Sequence, residues 1–310
     1  MDGSMEIEFK KPQLEDKEII SHYFRTYASR SCDRTFINGY LWARFYHAGW
    51  AIVEDTLVFR DIVDGEWSYS YPAGTKENVK KALLAMEEYT DVQGHELYLH
   101  GVTREFEAEL NELFPGKYQV EYDRDLADYV YESEKLALLS GKKLHGKRNH
   151  VNKFKTTYPD WSYERLTREN REECFQMALL WREENGCNDD EEKNDEMCVA
   201  LNALRLFEEL DAVGGVLRVG GKIVAFTIGE PINEDTFVVH IEKALAEYEG
   251  AYTMINQQFV QHECMGYLYV NREDDAGVEG LRKAKLSYKP AFLVEKGRAA
   301  IRRQEAASIE

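Results

Sequence analysis

The first arrangement with chemical reach is Val238-Val239-His240-Ile241-Glu242-Lys243, a β-branched run that carries a histidine and a carboxylate two residues apart. If alternation holds, His240 and Glu242 share one face of a strand and Val239 and Ile241 the other. A carboxylate near a strand end can take a proton from an amine, which makes Glu242 a candidate general base. The plainer alternative is a His240–Glu242 pair on a solvated face. A second arrangement is basic: Lys142, Lys143, Lys147, Arg148, Lys153 and Lys155 fall between Ser140 and Thr156 with no acid among them. Leu144, Val151, Phe154 and Tyr158 are spaced as a buried helical stripe, with Arg148 and Asn152 at its edge. Lys143, Lys147 and His150 are then free to face outward. An arginine held against a core usually has a planar anionic partner, either an acid of its own domain or a captured phosphate or carboxylate. The third is Asn271-Arg272-Glu273-Asp274-Asp275-Ala276-Gly277, running on through Gly280-Leu281-Arg282-Lys283-Ala284-Lys285 to Tyr288-Lys289-Pro290. A polar loop that leaves a strand and enters a helix suits ligand contact. Asp275 can cap the helix, but Asp274, Arg282 and Lys285 have no such role. Arg282, Lys285 and Lys289 can share one side of the helix end.

These segments need elements to hold them. Helical spacing predicts Leu14 to Tyr27, Thr35 to Tyr46, a Thr75-capped helix to Asp91, and Arg104 to Leu113. Strands are expected at Trp50–Val53, Thr56–Asp61, Trp67–Tyr71, Glu96–His100 and Tyr118–Asp123. A second block begins near Ser133, with a short helix to Leu139, the basic helix from about Lys143 to Thr157, and a strand over Trp161–Leu166. Thr167 is the expected N-cap of a helix to Glu184. The acids Asp189, Asp190, Glu191, Glu192, Asp195 and Glu196 open the next helix, where they suit the positive end of its dipole, so no metal site is expected. A hairpin turns at Gly220-Gly221, followed by a strand over Thr236–Lys243, a helix from Thr253 to Cys264, a strand over Tyr267–Val270, a helix from Gly277 to Ser287 and a strand over Pro290–Val294. Strands with intervening helices make an α/β or α+β protein. The expected domains are 1–132 and 133–310.

At about 150 residues per domain, 310 residues fit two domains. The most apolar window, Ala212 to Gly229, is broken by Arg218 and Lys222, so no membrane span is expected. No signal-peptide pattern precedes the polar Glu6–Gln13, and the opening Met1-Asp2-Gly3-Ser4 is set aside from fold reasoning. Five scattered cysteines without a Cys-x-x-Cys pair fit a reducing cytoplasm and neither a disulfide framework nor a metal site. The net charge of -18 excludes nonspecific nucleic-acid binding over the whole surface, DNA included. Two basic islands, 140–156 and 270–303, stand out on that acidic background as a local polyanion site or as solvated faces.

The run Lys143-Leu144-His145-Gly146-Lys147-Arg148-Asn149-His150-Val151-Asn152-Lys153-Phe154 resembles the signature of a bacterial family of uncharacterised proteins related to the C-terminal catalytic domain of phosphatidylglycerol lysyltransferase. Asp274-Asp275-x-Gly-x-x-Gly-Leu-Arg-x-x-Lys is similar to that family's second block, and His240-Ile241-Glu242-Lys243 occupies a matching strand. The resemblance covers most of the chain. It implies tandem GNAT-like acyl-CoA N-acyltransferase folds, each a mixed, mostly antiparallel sheet flanked by helices, with the active cleft in the C-terminal one. It also implies transfer of an aminoacyl group from an activated donor such as aminoacyl-tRNA to an amine or hydroxyl of a lipid or peptide, with no required cofactor. On that resemblance Glu242 and Asp274 are acid/base or orienting groups. Lys147, Arg148, Asn152 and His240 hold donor or acceptor, and Arg282 and Lys285 face anionic parts of a substrate. Acyl-CoA is the less favoured donor. Where CoA-using relatives carry a glycine-rich pyrophosphate loop, Ala246–Thr253 here has one glycine and two acids. The alternatives are a non-catalytic binding module on a degenerate GNAT fold, and a CoA-dependent N-acetyltransferase.

Overall fold

Two β-sheets organise the chain, one in each of two compact units, and the computed structural model describes residues 6–303. The opening Met1-Asp2-Gly3-Ser4 lies outside those residues. Within the described residues the first unit comprises 6–27, 43–127 and 295–303. Its strands are β1 (Gly49–Val53), β2 (Thr56–Val63), β3 (Glu66–Ser70), β4 (Tyr98–Val102), β5 (Tyr118–Tyr122) and β13 (Gly297–Ile301), in the order β1-β2-β3-β4-β13-β5. Only β3 and β4 run parallel; the other pairings are antiparallel. Helices α1 (Lys17–Thr26), α3 (Lys76–Gln93) and α4 (Arg104–Leu113) belong to this unit. The hydroxyls of Thr75 and Thr103 cap the last two by accepting from Asn78 N and Phe106 N, and Gly94, at φ 79°, ends α3.

The second unit comprises 28–42 and 128–294. It holds α2 (Phe36–Leu41), β6 (Asp128–Glu132), α5 (Ser133–Leu138), α6 (His145–Thr157), β7 (Ser162–Arg165), α7 (Arg171–Glu184), α8 (Glu191–Arg205), β8 (Val213–Val219), β9 (Lys222–Pro231), β10 (Thr236–Ala244), α9 (Ala251–Phe259), β11 (Tyr269–Asn271), α10 (Glu279–Ser287) and β12 (Phe292–Val294). The sheet order is β12-β6-β11-β10-β9-β8-β7, with β10 and β11 the parallel pair. The core of this unit gathers Val151 and Phe154 from α6, Met254, Ile255 and Phe259 from α9, and Phe237 and Val239 from β10. Among the described residues no helix is long and apolar enough to cross a membrane.

The mixed, mostly antiparallel sheets flanked by helices are those the sequence led us to expect. The unit boundaries differ from a single cut at 132/133. Residues 128–132 form β6, which pairs with β11 and β12 in the second sheet, and 297–301 form β13 between β4 and β5 in the first. Neither strand is among the expected ones. Thr167 also does not cap α7, which starts four residues later. Its N–H donates to Asn170 Oδ1 at 2.8 Å instead.

Candidate functional site

The two parallel strands part early. Thr236, Phe237 and Val238 pair with Tyr269, Val270 and Asn271; β11 then stops, while β10 runs on to Ala244. From Val239 onward the β11-facing edge of β10 therefore has no strand beside it. A crevice outside the carboxyl ends of parallel strands is where open α/β sheets bind ligands.

A bulge redirects β10 at this point. Val239 pairs with Gly229 and Ile241 with Ile228, so His240 is the extra residue. Gly229 is needed opposite, because a Cβ there would run into the Val238 carbonyl oxygen. The bulge overturns the expected shared face. Val239 and Ala244 both lie in the core under α9, and Glu242, two before Ala244, meets Asn256 of α9. Lys243 points the other way, to Glu196 of α8 at 2.5 Å and over the Trp181 ring of α7.

Glu242 lies on the stretch of β10 that runs on past β11. Arg272, the first residue past β11, donates through Nη2 to Glu242 Oε1 at 2.9 Å, and Asn256 Nδ2 donates to Oε2 at 3.2 Å. Both charged side chains are only 12% exposed. The Arg272 guanidinium lies 4.7 Å from the Tyr288 ring centre and 5.7 Å from that of Tyr131. Burial raises the Tyr288 phenol above its ordinary value, with Arg272 and a Thr253 hydrogen bond opposing. Lys147 of α6 places its ammonium 4.3 Å from the same ring centre, and burial, then the charge of Arg272, lower its pKa. Lys147 is thus half-buried, not outward-facing as α6 spacing suggests. Two polar atoms here are buried without a hydrogen-bond partner, Arg272 Nη1 and Asn256 Oδ1. Such atoms are uncommon in a finished core. One donor and one acceptor are thus left for a ligand.

The loop after β11 is held from beneath. Buried Asn271 donates through Nδ2 to Asp128 Oδ2 at 2.9 Å and to the Arg30 carbonyl at 2.8 Å, and its Oδ1 accepts from Glu273 N. Asp275, fully buried, accepts from Arg282 through Nε at 2.7 Å and Nη2 at 3.0 Å, from the Tyr129 hydroxyl, and from Gly277 N. Burial works to raise the Asp275 carboxyl, but those three partners, Arg282 first, hold it well below the usual carboxylate range.

Several residues expected in the site are engaged elsewhere. Arg282 donates to Asp275 through Nε and Nη2, with its side chain a third exposed. Lys285 donates to the carbonyls of Arg272 and Asp274, so it braces the loop, and burial depresses its pKa. Asp274 folds its Oδ1 onto Ala276 N at 3.0 Å. Arg148 Nη1 donates to the carbonyls of Leu139 at 2.6 Å and Gly141 at 3.3 Å, closing the end of α5; its partners are backbone oxygens and not the planar anion its position suggested. Asn152 is exposed on α6. Arg272, Asn256 and Tyr288 are the site residues to which sequence reasoning gave no role. A cation directly following a strand in the polar loop was the available signal.

His240 occupies a separate cluster. Its Nε2 lies 3.0 Å from Glu230 Oε2 and its Nδ1 3.1 Å from Glu273 Oε1, while Asn38 Nδ2 donates to the other Glu273 oxygen. Burial works to lower its pKa, but Glu273 and Glu230 outweigh it and push it from 6.5 to about 10. A folded value above the unfolded one stabilises fully below pH 6.5, and that contribution is lost as pH rises toward 10. We expect thermal stability to fall across that window, and His240→Gln to flatten the decline when melting is followed against pH. An unchanged profile in the variant would remove the buried imidazolium.

A family model described as phosphatidylglycerol lysyltransferase, C-terminal, matches residues 24–299. A conserved protein of unknown function from Bacteroides thetaiotaomicron is 39% identical, with a TM-score of 0.91 over 96% of this chain and 100% of that one. The structure of L-PGS from Bacillus licheniformis is 15% identical, with a TM-score of 0.67 over 96% and 95% of the two chains. The C-terminal domain assigned to a lysylphosphatidylglycerol synthetase of Agrobacterium fabrum is 13% identical, with a TM-score of 0.68 over 93% and 92%. These last two show a shared fold. An uncharacterized protein of Mycoplasmoides gallisepticum is 26% identical over 187 residues, and the chain spans 58% of that curated relative's length.

Proposed function

Because the chain belongs to the phosphatidylglycerol lysyltransferase C-terminal family, we propose that it is an acyltransferase that moves an aminoacyl group from an activated donor such as aminoacyl-tRNA to an amine or hydroxyl of a lipid or peptide. The observation that carries this reading is Glu242, a buried carboxylate in the crevice where β10 and β11 part, flanked by the unfilled Asn256 Oδ1. Glu242 is the carboxylate that takes the proton in this reading, with Arg272 Nη2 and Asn256 Nδ2 holding its two oxygens in place. An acceptor amine donates one N–H to Asn256 Oδ1 and a second to Glu242, and its nitrogen attacks the ester carbonyl of the donor. Glu242 takes the amine proton as the C–N bond forms. It returns that proton to the departing ester oxygen as the C–O bond breaks. In this reading the tetrahedral oxyanion is met by backbone N–H groups on the unpaired edge of β10.

The loop before α9 supports a donor without pyrophosphate. Glu247 and Glu249 stand there, Glu249 pairing with Lys153, and Gly250 at φ 89° packs against the His150 carbonyl and Phe154 of α6. The reading puts the protein in the cytoplasm, where such a donor is made.

The test is transfer of labelled amino acid from charged tRNA to phosphatidylglycerol vesicles or to a peptide amine. Label in either acceptor supports the reading; donor binding without transfer overturns it in favour of a binding module, and binding of CoA with acetyl transfer overturns it in favour of an acetyltransferase. Arg148→Ala is expected to cost about 1–2 kcal/mol of stability through the orphaned carbonyls and to leave the transfer rate unchanged below its melting range. A rate loss without a stability loss would return Arg148 to the site.

A further inference from the structure

We propose that the Tyr252 hydroxyl is a further catalytic group, a side-chain donor that meets the carbonyl oxygen of the acyl donor as negative charge develops on it. That the oxygen belongs to an acyl donor rests on the acyl-transfer reading; the placement of the hydroxyl does not. Tyr252 lies in the first turn of α9, one turn ahead of Asn256 on the same helix face. Asn256 meets Glu242 of β10. One helical turn rises about 5.4 Å and two strand residues about 6.6 Å, so Tyr252 comes down beside Ala244. The Ala244 N–H is indeed the backbone donor to the Tyr252 oxygen.

That oxygen stands at the open edge of β10. Leu245, just past the strand, donates its N–H to the Val224 carbonyl of β9 at 2.9 Å. Successive amides of a strand point to opposite edges, so the Ala244 N–H points to the edge that β11 has left. Trp181 of α7 gives the same placement. Its ring lies under Lys243, which points away from α9, yet its Nε1 donates to the Tyr252 oxygen at 3.1 Å. A bond between side chains from opposite faces of the sheet passes around an unpaired edge.

Two N–H groups thus hold the Tyr252 oxygen, and its proton has no acceptor among the described residues. Donors into the oxygen strengthen the O–H as a donor in turn. Loss of solvent around the hydroxyl raises its pKa, the carboxylates of Glu242 and Glu196 add to the rise, and Ala244 and Trp181 oppose it. The group is therefore a protonated donor across the neutral range. The residue is still 43% exposed, which leaves an ester room to approach. As the amine nitrogen adds, the carbonyl π electrons pass to oxygen, and the Tyr252 O–H hydrogen-bonds that oxygen without giving up its proton. When those electrons return, the C–O bond breaks and the departing oxygen takes the proton held by Glu242. The phenol is left as it began. Such a contact strengthens in the transition state and so acts on the rate constant more than on binding.

The experiment compares wild type with Tyr252→Phe in two assays. One follows single-turnover transfer of labelled amino acid from charged tRNA. The other measures binding of two analogues of an aminoacylated nucleoside: a phosphonate, tetrahedral and anionic at the reacting centre, and an amide, planar and neutral there. Tyr252→Phe is expected to lower the transfer rate constant about 100-fold and to weaken the phosphonate by a similar factor, with KM and amide affinity unchanged. Melting curves check that the variant folds. Equal weakening of both analogues makes Tyr252 a wall of the pocket and overturns the proposal, as does an unchanged rate constant. The two readings fail separately. Absence of transfer by wild type, with a preference for phosphonate over amide that Tyr252→Phe abolishes, defeats the acyltransferase and leaves the hydroxyl as an oxyanion donor. Transfer by Tyr252→Phe at the wild-type rate defeats the hydroxyl and leaves the acyltransferase.

Discussion

Glu242→Gln is expected to lower the rate constant for aminoacyl transfer by about 100-fold or more, the low end of what a positioned base contributes, while leaving the acceptor KM within a few-fold. The substitution keeps size and one acceptor oxygen, so Asn256 Nδ2 retains its partner. What it removes is the capacity to take a proton, together with the ion pair to Arg272 at 2.9 Å. Binding and chemistry therefore separate. If Glu242 only positions Arg272, KM rises and the rate constant holds, and the proposed role for the carboxylate is lost. Glu242→Asp is a useful companion: it keeps the charge but draws it back by one methylene, and is expected to recover part of the rate.

Asp275→Ala is expected to destabilise the second unit by about 3–5 kcal/mol, in the range found when one member of a buried ion pair is removed. Its carboxylate collects Arg282, the Tyr129 hydroxyl and Gly277 N in one place, so its loss frees α10, β6 and the loop between them at once. Arg282→Ala is expected to cost less, because the Arg282 side chain is a third exposed while Asp275 is fully buried. Denaturant midpoints for the two variants give the comparison; equal small losses would show the cluster to be incidental. The sign with pH follows from the depressed Asp275 pKa. Its stabilisation is present above the ordinary value of 3.8 and is lost as pH falls below it, so the acid limb of the wild-type stability curve is expected to flatten in Asp275→Ala.

Much of the second unit was legible from local pattern. The Gly220-Gly221 hairpin, the acidic start of α8 after Asp190, and the stripe Leu144, Val151, Phe154 all carry their signal within a few residues. β6 and β13 do not. Asp128, Tyr129, Val130 and Tyr131 are all buried, so no apolar-polar alternation marks the strand. β13 is built largely of Gly297, Ala299 and Ala300, and its pairing partners lie far back in the chain. In the site, Glu242 was readable as a carboxylate near a strand end. The turn of His240 away from it was not, because it depends on a bulge permitted by Gly229 on the neighbouring strand. The charges of Arg282 and Lys285 were readable, but the oxygens they bond, on Asp275 and on the loop carbonyls, were not.

The interleaving of the two units has a temporal side. β13 sits between β4 and β5, so β5 cannot join the first sheet until residues 297–301 have left the ribosome, and the second sheet likewise waits for β11 and β12 before β6 has its neighbours. Vectorial, unit-by-unit folding during translation is therefore closed to this chain. Both sheets complete only when the last strands arrive, and until then β5 and β6 have unpaired edges for a chaperone, or a neighbouring nascent chain, to find.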